Sequence, residues 1–267
     1  MKLSVIISLY LKNDPVFLKE SLVSILNQTR PADEVILVEN GPLTDEIHSV
    51  VEWFMLESPN TIKIVFEENH VFAYALNAAV RASHGDFIAR MDTDDISLER
   101  RFERQLDYME KNPDVDCLGT WAYEITSKGE LYFEKQMPVT HKECYELFKK
   151  RDCLIHPTVM FRRSYFEKAD MYPEDTYFGE DTMMWAQGFA NGCIFANLPE
   201  YVFKFRLDED FFNRRRGWKL AKSIFSLRCR VNKMLHYPFV TYLYAIAYAF
   251  AKMLPTSMLN LVYKRMR

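Results

Sequence analysis

The stretch DFIARMDTDD, residues 86–95, decides how this sequence is interpreted, because an apolar segment in it runs directly into a group of carboxylates. Asp92, Asp94 and Asp95 fall within four positions. Such crowding of like charge is unfavourable unless a cation lies among the carboxylates. The apolar residues before them are typical of a buried strand, so the acidic group is expected to follow the end of a strand.

Strand and helix patterns alternate four times over the first 111 residues. Buried strands are predicted at 3–9, 34–40, 61–69 and 86–91, and helices at 16–28, 45–57, 71–82 and 98–111. This alternation predicts an α/β fold with a mostly parallel central sheet and helices on both faces. Ligands bind such sheets beyond the carboxyl ends of the strands, where Tyr10, Glu39 and the three aspartates are expected.

The acidic group has two interpretations. Asp92 and Asp94 lie two residues apart on turning chain, so both carboxylates can face one point, while Asp95 can cap the helix that follows. Mg²⁺ or Mn²⁺ is bound by one or two carboxylates together with phosphate oxygens and water. A polar turn that carries a helix N-cap is the alternative. The spacing alone does not separate them.

A second acidic pair, Glu180 and Asp181, opens an apolar helical pattern in the segment GEDTMMW, residues 179–185. A carboxylate at this position can cap the helix, favoured by the helix dipole, or it can serve as a general base. Trp185 is expected in the core rather than against an acceptor. His156, which precedes a proline at a predicted strand, is expected to be structural rather than a contact to acceptor or phosphate.

Composition gives an expectation about compartment and partners. The five cysteines are odd in number, scattered and without zinc-ligand spacing, which favours a reduced, cytoplasmic setting. The net charge of −3 hides an asymmetry: from residue 203 onward 14 Lys and Arg face 3 Asp and Glu, a formal +11. Such a basic region is typical of a segment that meets polyanions, either an anionic membrane or nucleic acid.

The basic region contains two helical patterns. Residues 217–235 are basic and amphipathic, and residues 238–254 are apolar and aromatic, with Lys252 as their one charge. An apolar segment of this length is marginal for spanning a bilayer, which takes about 20 residues, and its tyrosines suit the interface. We therefore predict that residues 207–267 form a helical extension that lies on the membrane. A packed helix or a dimer contact is the alternative.

Five segments in register resemble the inverting glycosyltransferases of family 2. They are LSVIISLY (3–10), EVILVENG (34–41), the stretch from ENHVF to DTDD (68–95), HPTVMFRR (156–163) and GEDTMMW (179–185). The resemblance covers residues 1–206 and implies the GT-A nucleotide-sugar fold. FKFRLDEDFFNRRRGW (203–218) is similar to a segment that follows the catalytic domain in bacterial enzymes building capsule, exopolysaccharide or lipopolysaccharide chains.

The resemblance implies roles for residues that match the motifs. Asp94 is expected to hold Mn²⁺ or Mg²⁺ against the diphosphate, and Asp92 to face the ribose or the metal. Glu39 stands where the family usually has an aspartate that contacts the base, and Tyr10 is expected near the base. Arg90 is expected to pair either with phosphate or with Asp92.

For the acceptor side, the resemblance implies that Asp181 is the catalytic base and Glu180 its orienting neighbour. The expected activity is transfer of a sugar from a nucleotide-diphosphate sugar to a hydroxyl of a glycan or lipid-linked oligosaccharide, with inversion, at the cytoplasmic face of the membrane. Nucleic acid is not expected as a partner. A catalytically silent nucleotide-sugar-binding module at the membrane, or a magnesium-dependent phosphohydrolase, is the alternative.

Overall fold

The computed structural model describes residues 1–207, 215–255 and 258. Its first 111 residues form the predicted strand–helix units. In chain order these are β1 (Leu3–Leu9), α1 (Pro15–Leu26), β2 (Glu34–Asn40), α2 (Asp45–Glu57), β3 (Thr61–Phe66), α3 (Phe72–Ala82), β4 (Phe87–Arg90), a short β5 (Ile96–Ser97) and α4 (Arg101–Lys111).

The second half of the chain adds strands to the same sheet and extends the helical layers. Its elements are β6 (Cys117–Thr126), β7 (Leu131–Lys135), α5 (His141–Phe148), a 3₁₀ turn (His156–Thr158), β8 (Met160–Arg162), α6 (Ser164–Ala169), α7 (Glu180–Ala190), β9 (Phe195–Leu207), α8 (Trp218–Met234) and α9 (Val240–Ala251).

Among the described residues, nine strands form one sheet in the order β3-β2-β1-β4-β8-β6-β9-β5, with β7 paired to β6. The first four strands are parallel, as predicted, and β9 is parallel to β6. β8 lies between β4 and β6 and is antiparallel to both. The α/β prediction is therefore confirmed, and the sequence patterns did not predict β5 or β9.

Strand alternation divides the core into two layers, one on each face of the sheet. In β1, Val5 and Ile7 pack with α1, α2 and α4, whereas Ile6 packs with α3 and α7. Trp185 of α7 is fully buried in the second layer, as expected. This arrangement leaves the carboxyl ends of the parallel strands uncovered by helices.

Two aspartates near helix starts behave differently. Asp14 caps α1, accepting hydrogen bonds from the backbone N–H groups of the first turn. The prediction that Asp95 caps the following helix is wrong, because α4 begins only at Arg101. The Asp95 carboxylate instead accepts the backbone N–H of Arg206 in β9 at 2.8 Å. The Asp95 side chain therefore binds β9, a strand that the sequence patterns did not predict, rather than the start of α4.

The two predicted C-terminal helices are present as α8 and α9. Leu227 and Val231 of α8 are buried in the same layer as α7. Within residues 1–207 and 215–255, no helix has both the length and the apolar character needed to cross a bilayer. Residues 208–214, 256, 257 and 259–267, with Arg214 among them, lie outside the described part of the chain.

Candidate active site

A cavity of about 390 Å³ opens at the carboxyl ends of β1, β2 and β4. Three of the residues predicted for the site, Tyr10, Asp92 and Asp94, line it together. The other lining residues are Ser8, Asn13, Asn40, Asn69, His70, Phe72, Thr93, Phe205, Arg206 and Arg215. Its position is the one expected for a ligand on a parallel sheet.

The acidic group forms a compact cluster at the edge of this cavity. One carboxylate oxygen from each of Asp92, Asp94 and Asp95 lies within 4.8 Å of the others. Asp95 is 1% exposed, and its Oδ2 atom has no hydrogen-bond partner in the described part of the chain. Burial, reinforced by the charges of Asp94 and Asp92, raises the pKa of Asp95 well above its usual value. Hard carboxylate oxygens that converge in this way fit a divalent cation such as Mg²⁺ or Mn²⁺.

Arg90 makes a two-pronged ion pair with the first aspartate of the cluster. Its two terminal nitrogens lie 2.6 and 2.5 Å from the two carboxylate oxygens of Asp92. The arginine is 3% exposed, so the pair is screened little by solvent. Arg90 thus contacts Asp92, the expected partner that belongs to the chain itself, and this contact orients the carboxylate.

The backbone of residues 92–94 is held by side chains from distant parts of the sequence. Ser21 in α1 donates a hydrogen bond to the carbonyl oxygen of Asp92 at 2.8 Å, and Asn13 donates one to the Thr93 hydroxyl at 2.7 Å. Arg206 donates to the carbonyl oxygen of Asp94 at 2.8 Å and pairs with Glu20 at 2.6 Å. The sequence patterns did not identify Ser21 or Asn13, since no local spacing links them to the aspartates.

Glu39 occupies a different place from the one suggested by its role in the resemblance. It is 2% exposed, and its Oε1 lies 3.5 Å from Lys63 and 3.7 Å from His48. It is not among the described residues that line the cavity. The next residue, Asn40, does line it, because successive side chains of a strand point to opposite faces. The Asn40 side-chain amide also donates a hydrogen bond to the His70 carbonyl oxygen and accepts one from the His70 backbone N–H.

Glu180 and Asp181 form the first turn of α7. The helix is capped by Gly179, whose φ of +88° is a conformation that favours glycine, so neither acid is the N-cap. Burial is the largest cause that raises the pKa of Asp181 to about 7, followed by the charges of Glu180 and Asp152, while Arg215 opposes the rise. Such a carboxylate holds a proton readily near neutral pH.

The acidic pair is electrostatically coupled to the aspartate cluster. Burial raises the pKa of Glu180; Arg90 lowers it and Asp92 raises it. Tyr172 lies within electrostatic reach of both Arg90 and Asp181 and is fully buried. His156 is buried beside it, 2.9 Å from the Tyr172 hydroxyl, which agrees with the structural role expected for this histidine. Arg90, which pairs with Asp92, therefore also acts on the charge of Glu180.

Comparison with known proteins identifies the family. The family model described as glycosyl transferase family 2 matches residues 4–169. The chain is similar to the amylovoran biosynthesis glycosyltransferase AmsE of Erwinia amylovora, with 32% identity over 99% of this chain and 98% of the relative. It is also similar to the UDP-Gal:α-D-GlcNAc-diphosphoundecaprenol β-1,3-galactosyltransferase of Escherichia coli, with 31% identity over 99% of this chain and 96% of the relative.

A solved structure shares the fold. The mannosyltransferase PcManGT of Pyrobaculum calidifontis, in complex with GDP-Man and Mn²⁺, superposes with a TM-score of 0.66 at 18% identity, covering 99% of this chain and 80% of that one. The family match, the two relatives and this superposition agree with the sheet and cavity described above. The chain therefore belongs to glycosyl transferase family 2, with a GT-A fold, and is a glycosyltransferase.

Proposed function

We propose that the protein transfers a sugar from a nucleotide-diphosphate sugar to a hydroxyl of a lipid-linked glycan, with inversion, during synthesis of a cell-surface polysaccharide. The observation that carries the proposal is the pair of unlike acidic groups that Arg90 links electrostatically: a cluster suited to a divalent cation, and the half-buried carboxylate of Asp181, whose pKa is raised to about 7. The names of the two similar relatives, which act in amylovoran synthesis and on a diphosphoundecaprenol-linked sugar, support the polysaccharide assignment.

On the donor side, Asp92 and Asp94 would hold Mn²⁺ or Mg²⁺, with the buried carboxylate of Asp95 next to them. When bound, the ion supplies a Lewis acid for the negative charge that develops on the departing diphosphate. Tyr10 and Asn40 line the cavity where the nucleoside fits. Glu39 does not line the cavity, and its ion pairs with Lys63 and His48 help to hold the strand end that carries Asn40. Arg90 keeps the Asp92 carboxylate oriented.

On the acceptor side, Asp181 is the general base. It removes the proton of the acceptor hydroxyl while the hydroxyl oxygen forms a bond to the anomeric carbon. The bond from that carbon to the diphosphate oxygen breaks, and its electron pair leaves with the nucleotide, which gives inversion. A base is most effective when its pKa lies near the working pH, and burial beside Glu180 supplies that condition for Asp181.

The α9 helix is proposed to lie on the inner face of the cell membrane. Its exposed side carries Phe239, Leu243, Ile246 and Phe250, which are 79%, 53%, 53% and 63% exposed. Their spacing places them along one helical face. The formal +11 of the chain from residue 203 onward adds attraction to anionic lipid. This placement would bring the acceptor side of the site close to lipid-linked substrates.

The activity is tested by incubating the protein and Mn²⁺ with a panel of UDP-, GDP- and TDP-sugars and a short-alkyl diphosphate of N-acetylglucosamine. We expect transfer from one donor, with the product linkage opposite in anomeric configuration to the donor when examined by NMR. A retained configuration would exclude single displacement. Donor binding without turnover for every acceptor would favour the catalytically silent binding module instead.

The membrane assignment is tested by co-sedimentation with vesicles that contain phosphatidylglycerol. We expect the double variant Leu243→Glu/Phe250→Glu to bind the vesicles at least about tenfold more weakly than wild type, because two apolar side chains no longer enter the interface. Leu131→Glu is the control, since Leu131 is 59% exposed on β7 in the catalytic domain. Equal sedimentation of the double variant and the control would contradict the assignment.

A further inference from the structure

A second cavity, of about 370 Å³, lies between residues 175–178 and one face of α8. We call it the α8 groove. It is separate from the nucleotide cavity, with which it shares no lining residue. Its α8 side is formed by positions 219, 222, 223, 226, 227 and 230, which recur at the three- and four-residue spacing of a single helical face.

The charge of the α8 groove is positive. Lys219, Lys222 and Arg230 line it, against one carboxylate, that of Asp175. Arg230 pairs with Asp175 at 2.9 Å, whereas Lys219 and Lys222 have no carboxylate partner within residues 1–207 and 215–255. Two cations are therefore left for an anion, and both lysines are exposed.

The remaining lining is suited to a sugar or an alkyl chain next to that anion. Tyr177 and Phe178 are 65% and 38% exposed, and the Lys219 ammonium lies 4.2 Å from the centre of the Tyr177 ring. The hydroxyl groups of Ser223 and Ser226 also line the groove and can donate hydrogen bonds to phosphate oxygens. Cations, hydroxyls and exposed aromatic rings together match a phosphate-linked sugar better than a purely apolar ligand.

Gly179 connects the groove to the proposed base along the chain. Gly179 packs so tightly against Leu227 of α8 that a Cβ atom there would collide with the leucine side chain. The glycine is followed at once by Glu180 and Asp181. Phe178 at the groove therefore stands three residues before Asp181. The wall of the groove that residues 175–178 form therefore leads directly into the helical turn that carries the proposed base.

We propose that the α8 groove binds the phosphate or diphosphate group of the acceptor, with Lys219 and Lys222 contacting its oxygens and the aromatic pair packing against the adjoining sugar or lipid. The inference rests on the proposed transferase function, and it locates the acceptor determinant on α8, outside the residues matched by the family model. An anionic lipid headgroup carries the same phosphate chemistry, so the test separates acceptor phosphate from bulk membrane.

The test compares two soluble probes in the absence of membranes: the short-alkyl diphosphate of N-acetylglucosamine, and the methyl glycoside of the same sugar. For Lys219→Ala/Lys222→Ala we expect KM for the diphosphate probe to rise about tenfold or more, because charge-assisted hydrogen bonds are lost. KM for the methyl glycoside and kcat for both probes should stay within about twofold, the size of an ordinary surface effect. Lys219→Arg/Lys222→Arg should restore most of the affinity.

Lys233→Ala is the matched control, because Lys233 is an exposed lysine of the same helix that does not line the groove. Calorimetric binding of the diphosphate probe in the presence of UDP is measured alongside turnover, so that groove binding is judged even if no transfer occurs. If the wild-type protein binds the diphosphate probe but transfers no sugar to it, the proposed transferase function is contradicted, whereas the proposed binding role of the groove is not. If KM and probe affinity are unchanged in Lys219→Ala/Lys222→Ala, the proposed binding of acceptor phosphate in the groove is contradicted. If that variant also binds anionic vesicles more weakly, the two lysines contact the membrane only.

Discussion

The two acidic groups of the active site hold the same kind of side chain in unlike surroundings. Asp92, Asp94 and Asp95 converge on a turn, and two buried arginines support them: Arg90 on the Asp92 carboxylate and Arg206 on the backbone. Glu180 and Asp181 follow each other at the start of a helix and lack such a direct arginine contact among the described hydrogen bonds and ion pairs.

The difference shows how one chain assigns separate tasks to carboxylates. In the first group, the Arg90 guanidinium neutralises Asp92, burial raises the pKa of Asp95, and oxygens from three side chains are directed at a common point, which suits a cation. In the second group, burial and a neighbouring charge relieve repulsion by retaining a proton, which suits an acid–base group. Substitutions in the two groups should therefore impair different steps of the reaction: metal binding in the first group and proton removal in the second.

The largest effect is expected for the base. Asp181→Asn should lower kcat by about a thousandfold, because an amide cannot accept the acceptor proton, while the affinity for donor nucleotide is retained. Single-turnover transfer and calorimetric nucleotide binding measure the two halves of this expectation. Asp170→Asn, an exposed substitution in the same half of the domain, is the control. Unchanged turnover in Asp181→Asn would refute the assignment of the base.

A smaller loss is expected at the aspartate cluster. Asp94→Asn should lower kcat/KM by about a hundredfold, because the ion that stabilises the departing diphosphate is held less tightly. Raising the Mn²⁺ concentration should recover part of the loss, whereas it should not help Asp181→Asn. Asp114→Asn, at an exposed position, is the matched control. If Mn²⁺ titrations of Asp94→Asn and wild type coincide, Asp94 is not a metal ligand.

The support of the cluster gives an intermediate prediction. Arg206 is 4% exposed and holds the Asp94 carbonyl, Glu20 and the Ser127 carbonyl at once. Arg206→Lys keeps the charge but cannot make all three contacts, so we expect a fivefold to tenfold rise, on the order of 1 kcal/mol, in the Mn²⁺ concentration needed for half-maximal rate. Arg100→Lys on the exposed surface is the control, and an equal shift in both variants would contradict a positioning role.

The last prediction concerns the pH dependence of turnover and of stability, where the stability change is the smallest effect expected. With a pKa of about 7, Asp181 must ionise to act as base, so kcat should rise about tenfold per pH unit below 7 and level off above it. The same pKa, raised from 3.8, means that the folded chain holds a proton that the unfolded chain releases between these values. Stability from this group therefore falls as pH rises from about 4 to 7.

Asp181→Asn removes that penalty. Its Tm should exceed that of wild type by a few degrees at pH 8, and the two proteins should melt together near pH 4. Thermal melts across this range provide the measurement. A variant that melts below wild type at pH 8 would show that the ionised carboxylate is stabilised by the fold, and the pH dependence of kcat would then need another origin.

Much of this site follows from local sequence, and the rest depends on distant contacts. β2 and α2 have the predicted bounds because apolar periodicity and turn residues agree there. Asp95 was assigned to the wrong partner because its partner, Arg206, lies 111 residues away in a strand whose pattern was missed. Strand alternation predicts that Glu39 and Asn40 point to opposite faces of the sheet, but not which of them lines the cavity. The α8 groove was not visible, since it joins a loop and a helix from separate parts of the chain.

The claim on which the account depends is that Asp92 and Asp94 hold a divalent cation against the donor diphosphate. Calorimetric titration of wild type with UDP, GDP and TDP, with Mn²⁺ and again with EDTA, tests it most directly. We expect one nucleotide to bind at least tenfold more tightly with Mn²⁺, and Asp94→Asn to remove that gain. Equal affinity in EDTA, or an undiminished gain in Asp94→Asn, would contradict the account.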